Sequence, residues 1–259
     1  MPSSYADMNN EQLRLNAQEG DVEAAFLLGK RLLAVRGGAM EGVEYLKEAA
    51  KKRHLQACEI LGSTFLYGEG GVPQDKRQAM VYYEQAQALG SVTARTRLID
   101  LYLDSEDKAE RGLQLLTDAA DAGDRKAAAR AARLYLTGEV SGVDLERAAK
   151  YALISDDSAV LFETAEKLDL LDTNEALRDE MYQKLLAKDR EGAQLGISAC
   201  LALGELYRRG KGTKADGRSA ERLFLRAIEL EKQQVMSEPK AELMLAELYE
   251  KGAEGLPAD

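Results

Sequence analysis

Glycines recur in this sequence at fixed points of a repeating apolar pattern, and that recurrence limits the chain to one style of fold. The clearest copy runs from Ala57 to Gly90: A-C-E-I-L-G-S-T-F-L-Y-G-E-G-G-V-P-Q-D-K-R-Q-A-M-V-Y-Y-E-Q-A-Q-A-L-G. Ala57, Leu61 and Phe65 fall at steps of four, which places them on one face of a helix. Gly62 follows Leu61. Glycine inside a helix costs about 1 kcal/mol against Ala, so it marks a close approach by another helix. Gly68, Gly70 and Gly71 then break the helix, and Pro73 confirms the stop. Asp75 is placed to N-cap a second helix, with Ala79, Tyr82, Tyr83 and Ala86 on its apolar face and Gly90 at its end. Each helix keeps apolar surface that only a neighbouring pair can cover, which is the physical sign of a solenoid.

The run A-x-x-x-L-G-x-x-F-x-x-G-x-G-G-V-x-x-D-x-x-x-A-x-x-Y-Y-x-x-A resembles the Sel-one-like repeat family, a relative of the tetratricopeptide repeats. The departures are Phe65 for Tyr, one extra glycine, Gln78 for Lys and Tyr82 for Trp. The resemblance implies an all-α, right-handed α-solenoid of about six to seven helix–turn–helix units, in which first helices line a concave face.

Other copies follow the same marks. Residues 1–20 read as an N-terminal helix acting as a cap, with Leu13 and Ala17 on one face and Met1 to Tyr5 disordered. The solenoid covers 21–259, with units at about 21–53, 54–90, 91–123, 124–155, 156–192, 193–236 and 237–259. The fifth has lost its glycines but keeps apolar periodicity from Val160 to Leu171 and from Ala176 to Leu186. Leu32, Phe65, Tyr102, Tyr135, Tyr207 and Tyr249 share one motif position at spacings of 33, 37, 33, 72 and 42, and 72 is two units of 36. Gly252 to Asp259 matches Gly68 to Asp75, so the chain stops where a second helix is due and reads as a fragment.

Composition narrows the partners. With 45% hydrophobic but only 6% aromatic residues and no Trp, the core must be rich in Ala and Leu. A net charge of −10 repels nucleic acid and anionic lipid. No apolar run approaches the roughly 20 residues of a membrane span, and the N-terminal stretch lacks the apolar core of a signal peptide. The chain as written reads as cytoplasmic; one whose leader had been removed would read the same and suits the periplasm.

The candidate chemistry is sparse. His54 is the sole histidine and stands at a unit start, so it reads as a solvated turn residue. Cys58 and Cys200 hold equivalent positions about four units apart, too far for a disulfide, and read as buried free thiols. G-E-G-G at Gly68 and G-K-G-T-K at Gly210 lack the spacing of a phosphate loop and follow helix rather than strand. The acidic pairs near Asp156 and Asp169 lack calcium-loop spacing. No cofactor or metal is implied, and nothing sets a nucleophile beside a base, so the chain reads as no enzyme.

What remains is a surface. By resemblance, positions just past the motif Leu-Gly and in the last turn of each first helix face the groove. They are Lys30, Glu59, Ser63, Tyr67, Asp100, Arg133, Glu205, Arg208, Arg209, Glu247 and Lys251. The expected function is a non-catalytic scaffold or adaptor that binds a protein or peptide there, in a bacterial envelope, secretion or exopolysaccharide assembly. The alternatives are an immunity protein that caps a toxin and a hydrolase acting on cell-wall-type ligands. The sequence leaves oligomeric state open.

Overall fold

The computed structural model describes residues 5–192, 194–233, 240–252 and 255–256. Among them are fourteen α-helices and two short 3-10 turns. The helices are α1 (Asn10–Gln18), α2 (Val22–Leu33), α3 (Ala39–Lys51), α4 (Leu55–Tyr67), α5 (Lys76–Ala88), α6 (Val92–Leu103) and α7 (Ala109–Asp121). They continue as α8 (Arg125–Thr137), α9 (Leu145–Ser155), α10 (Ser158–Leu170), α11 (Glu175–Arg190), α12 (Ile197–Arg209), α13 (Gly217–Glu231) and α14 (Lys240–Lys251). Two compact units result, residues 1–115 and 116–259, and the division falls inside α7. The repetition of helical hairpins is the solenoid architecture expected from the motif.

The first unit holds α1 to α6. Asn9 caps α1 in a reciprocal box with Gln12, and fully buried Leu13 packs with Ala24, Leu28 and Leu32. The disorder expected for Met1 to Tyr5 falls outside the described residues except at Tyr5. That residue lies in a 3-10 turn, and its hydroxyl donates to Asp21 at 2.6 Å. Glycine pairs let helices touch: a Cβ on Gly29 would sit 2.8 Å from the Gly42 carbonyl oxygen, and one on Gly62 would sit 2.6 Å from the Tyr83 ring. Tyr83 is buried there, and desolvation pushes its hydroxyl up to about 12. Tyr82 is half-buried and stacks on Phe65 at 5.7 Å.

In the second unit α8–α9, α10–α11 and α12–α13 pair as hairpins, and α10 lies beside both α8 and α12. Gly204 repeats the role of Gly62, since a Cβ there would overlap the Phe224 ring. One hydrogen bond closes the turn in three hairpins of the chain. The N–H of the capping Asp donates to the motif aromatic's carbonyl, from Asp75 to Phe65 (2.8 Å), Asp144 to Tyr135 (2.9 Å) and Asp216 to Tyr207 (2.8 Å). The same Asp side chains accept from the first-turn amides of α5, α9 and α13. Gly68 and Gly210, the phosphate-loop lookalikes, end α4 and α12 in the left-handed conformation.

The α10–α11 hairpin forms without those glycines. Asp172 and Asn174 in its turn take left-handed φ values of 50° and 49°, as does Asp156 at the end of α9 with 56°; Asp and Asn tolerate that region because their short side chains bond locally. The turn expected over 252–259 lies outside the described residues, save for Gly252, Gly255 and Leu256.

Candidate partner-binding face

The predicted surface has a simple register. Two residues past the motif Leu, or past Ala131 in the fourth unit, stand Lys30, Ser63, Asp100, Arg133, Glu205 and Glu247, and four further on come Tyr67, Arg209 and Lys251. Such i, i+4 steps put both rows on one face of each first helix.

In the first unit Lys30 and Asp100 are exposed, and Tyr67 keeps 52% of its surface in solvent. Ser63 turns its hydroxyl back to the Ile60 carbonyl at 3.0 Å. Glu59 accepts the Ser91 hydroxyl at 2.5 Å, and Ser91 in turn caps α6. Glu59 therefore braces a helix start.

In the second unit the charged residues lock one another. Glu205 is buried, contrary to a groove-facing role, because Arg208 and Arg209 fold over it. The Arg208 fork lies 2.8 and 2.7 Å from its carboxylate and Arg209 Nε 2.7 Å. Arg209 also reaches Glu166 on α10 at 2.7 Å. Lys211 bridges Glu166 and Asp169 at 2.7 Å each, Tyr182 donates to Glu166 at 3.0 Å, and Arg178 stands 3.3 Å from Asp169. The Lys211 hydrogen bond holds the Asp169 carboxyl below its usual range. Arg208 and Arg209 are therefore not the free charge contacts that the register alone suggests. Arg208 holds the carboxylate of Glu205, and Arg209 ties α12 to α10. Arg222, on the second helix α13, is likewise tied to Asp189 by bonds of 2.9 and 3.0 Å. Glu247 and Lys251 pair along α14 at 3.5 Å.

Arg133 is exposed on α8, 3.7 Å from Glu163 on α10. These two helices flank a groove of about 780 Å³. Leu136, Thr137 and Val143 wall one side; Phe162, Lys167 and Leu170 wall the other. Leu170 is 77% exposed and Val143 57%. A reading keyed to the motif misses Phe162, Lys167 and Leu170 because the fifth unit lacks its Leu-Gly pair. The signal is present all the same: with Thr164-Ala165 in that place, the two rows continue as Glu166 and Leu170.

The remaining candidates have structural duties. His54 is no solvated turn residue. Its Nδ1 accepts from Ala57 at 3.2 Å to cap α4, its ring stacks on Phe26 at 4.3 Å, and Nε2 lies 3.3 Å from Glu23. Cys58 and Cys200 are buried and free, and desolvation raises both thiols. Among the described residues no group of His, Cys, Asp or Glu could hold a metal ion, and no helix is long and apolar enough to cross a membrane.

The Sel1 repeat family matches residues 55–91, 125–155, 197–231 and 239–259. A Sel1 repeat protein from Oxalobacter formigenes is similar in structure at TM-score 0.73 and 21% identity, over 96% of this chain and 71% of that one. The protective antigen c5321 of uropathogenic Escherichia coli, described as displaying an SLR fold, is similar at TM-score 0.54 and 22% identity, over 98% of this chain. This chain spans 62% of that antigen's length. No curated protein sequence matches the chain. Three of these matches fall on hairpins closed by glycines and a capping aspartate, and they identify those hairpins as Sel1 repeats.

Proposed function

We propose that the chain is a non-catalytic scaffold that holds a segment of a partner protein along the exposed rows of its first helices. The observation that carries this reading is the groove between α8 and α10, where Leu170 and Val143 stay in solvent between charged residues held in place by neighbours. Exposed apolar surface rimmed by polar groups marks interaction sites. In the first unit, taken by itself, exposed Lys30, Tyr67 and Asp100 hold the same motif positions. Resemblance to the family suggests a bacterial envelope, secretion or exopolysaccharide assembly as the setting.

The test is affinity capture from the native host with mass spectrometry, followed by binding measurements on the captured partner. Arg133→Glu, on the proposed face, should weaken binding by about 1 kcal/mol or more. Arg218→Glu, exposed on the second helix α13, should leave it unchanged. The opposite pattern would put the partner on the second-helix side, and failure to capture any protein would remove the scaffold reading.

A further inference from the structure

We propose that the α8–α10 groove takes a short segment of another protein bearing two neighbouring large apolar side chains with a carboxylate beside them. This rests on the scaffold reading and adds the chemistry of what is bound.

The volume comes first. About 780 Å³ lies within the roughly 300–1,000 Å³ usual for pockets that hold a ligand, room for a few side chains rather than a folded surface. The walls come next. Positions equivalent to Glu59, Ser63 and Tyr67 of α4 are Leu201, Glu205 and Arg209 in α12, but Phe162, Glu166 and Leu170 in α10. Two large apolar groups thus stand one helical turn to either side of Glu166, with Leu136 facing them from α8. A pair of apolar anchors on the occupant would cover them.

Charge decides the rest. Glu163 is met by Arg133 at 3.7 Å, and Glu166 is satisfied by Arg209 and Lys211 at 2.7 Å each. Among the described residues Lys167 has no ion-pair partner, and it lines the groove half-buried. An incoming cation would find both carboxylates engaged and Lys167 beside it. An incoming carboxylate would pair with Lys167. The net charge of −10 opposes an acidic segment at long range, but screening over about 8 Å at physiological salt leaves the contact pair dominant.

The experiment pans a phage-displayed library of random dodecapeptides on the full chain. The strongest binders are then synthesised and titrated by fluorescence anisotropy. Enriched sequences should combine paired large apolar residues with Asp or Glu. Leu170→Asp and Lys167→Glu should each weaken the best peptide by roughly tenfold. Lys167→Glu should also come to prefer the same peptide with its acid replaced by Lys. Leu170 is exposed and Lys167 half-buried, and circular dichroism checks that each variant keeps its fold.

Several results overturn the proposal: no enrichment, enrichment of basic peptides, or binding indifferent to both variants. If peptides bind elsewhere on the first helices, the scaffold reading stands and this groove assignment falls. If the chain self-associates and Leu170→Asp makes it monomeric, the occupant is a second copy, and the proposed foreign segment is excluded.

Discussion

Tyr207 sits half-buried, although its motif position suggests full burial, because its hydroxyl reaches out to Asp189 at 3.1 Å. At three motif positions the residue eighteen places earlier follows the chemistry of the aromatic. Tyr102 donates to Glu84 and Tyr207 to Asp189, whereas Phe65, with no hydroxyl, has Lys47 over its ring at 5.9 Å. That matching is written in the sequence, but it is readable only once the register between hairpins is known. Tyr207→Phe should cost about 1 kcal/mol, the net worth of one such bond. Tyr207→Ala should cost roughly 2–4 kcal/mol, less than a fully buried aromatic would. Gly204 carries the stronger expectation. A Cβ there would overlap the Phe224 ring, so Gly204→Leu should destabilise by about 3 kcal/mol or more through overpacking. Gly196 has an ordinary φ, and a Cβ added to it would meet nothing within 4 Å, so Gly196→Ala should be near neutral. Urea denaturation of the four variants measures all of this, and equal midpoints for the two glycine variants would refute the packing account. The small-residue role of glycine was legible because Leu-Gly recurs at one register position. The depth of each aromatic was not, because it depends on which carboxylate its hydroxyl finds.

Hairpins carry the next level of information. Their turns were readable where glycine supplies the left-handed residue and Asp the cap, as at Gly68 with Asp75 and Gly210 with Asp216. Around α10 the left-handed residues are Asp156, which ends α9, and Asp172 and Asn174 in the α10–α11 turn, so the glycine signal vanishes while the backbone conformation persists. That is why the face of α10, and with it the groove, escapes a reading keyed to glycines. The ties from α12 to α10 are equally hidden, since Lys211 and Asp169 lie 42 residues apart in sequence. Glu205 beneath its two arginines makes a sharp expectation. Arg208→Glu with Arg209→Glu would leave a buried carboxylate facing like charges, and the loss should be roughly 3–5 kcal/mol. A variant that melts like the parent would refute the tie. Asp169 adds a pH dependence. Its folded value lies below the ordinary 3.8, so the folded state binds fewer protons than the unfolded one near that pH. Its contribution is complete above the ordinary value and is lost as pH falls through the folded one. Asp169→Asn should therefore flatten the acid limb of a stability–pH curve below about pH 4 and lower the plateau above it. An unchanged acid limb would show that Lys211 does not hold Asp169.

At the scale of the whole molecule, stability should be distributed rather than uniform. Each hairpin packs its own two helices together through Ala, Leu and glycine contacts such as Gly62 on Tyr83 and Gly204 on Phe224. Stacked repeats of this kind behave as a chain of local stabilities joined by nearest-neighbour terms. The fold class was legible in full from that repetition, because periodic Ala, Leu and Gly leave few other ways to bury the apolar faces. Local differences were not, because they arise from side chains unique to one hairpin: the Glu166–Lys211–Asp169 cluster, the exposed Leu170, the stacked Phe65 and Tyr82. A single overpacked hairpin should accordingly open by itself first. In Gly204→Leu, amides of α12 and α13 should exchange much faster than in the parent, and those of α10 should follow because Arg209 and Lys211 no longer hold Glu166 in place. Amides of α4 and α5 should keep their protection, since Gly62 and Tyr83 are untouched. Peptide-resolved hydrogen exchange by mass spectrometry measures the three segments in one experiment. An equal loss of protection at α4–α5 and α12–α13 would mean that the chain unfolds as one cooperative block, and nearest-neighbour packing would not then govern its stability.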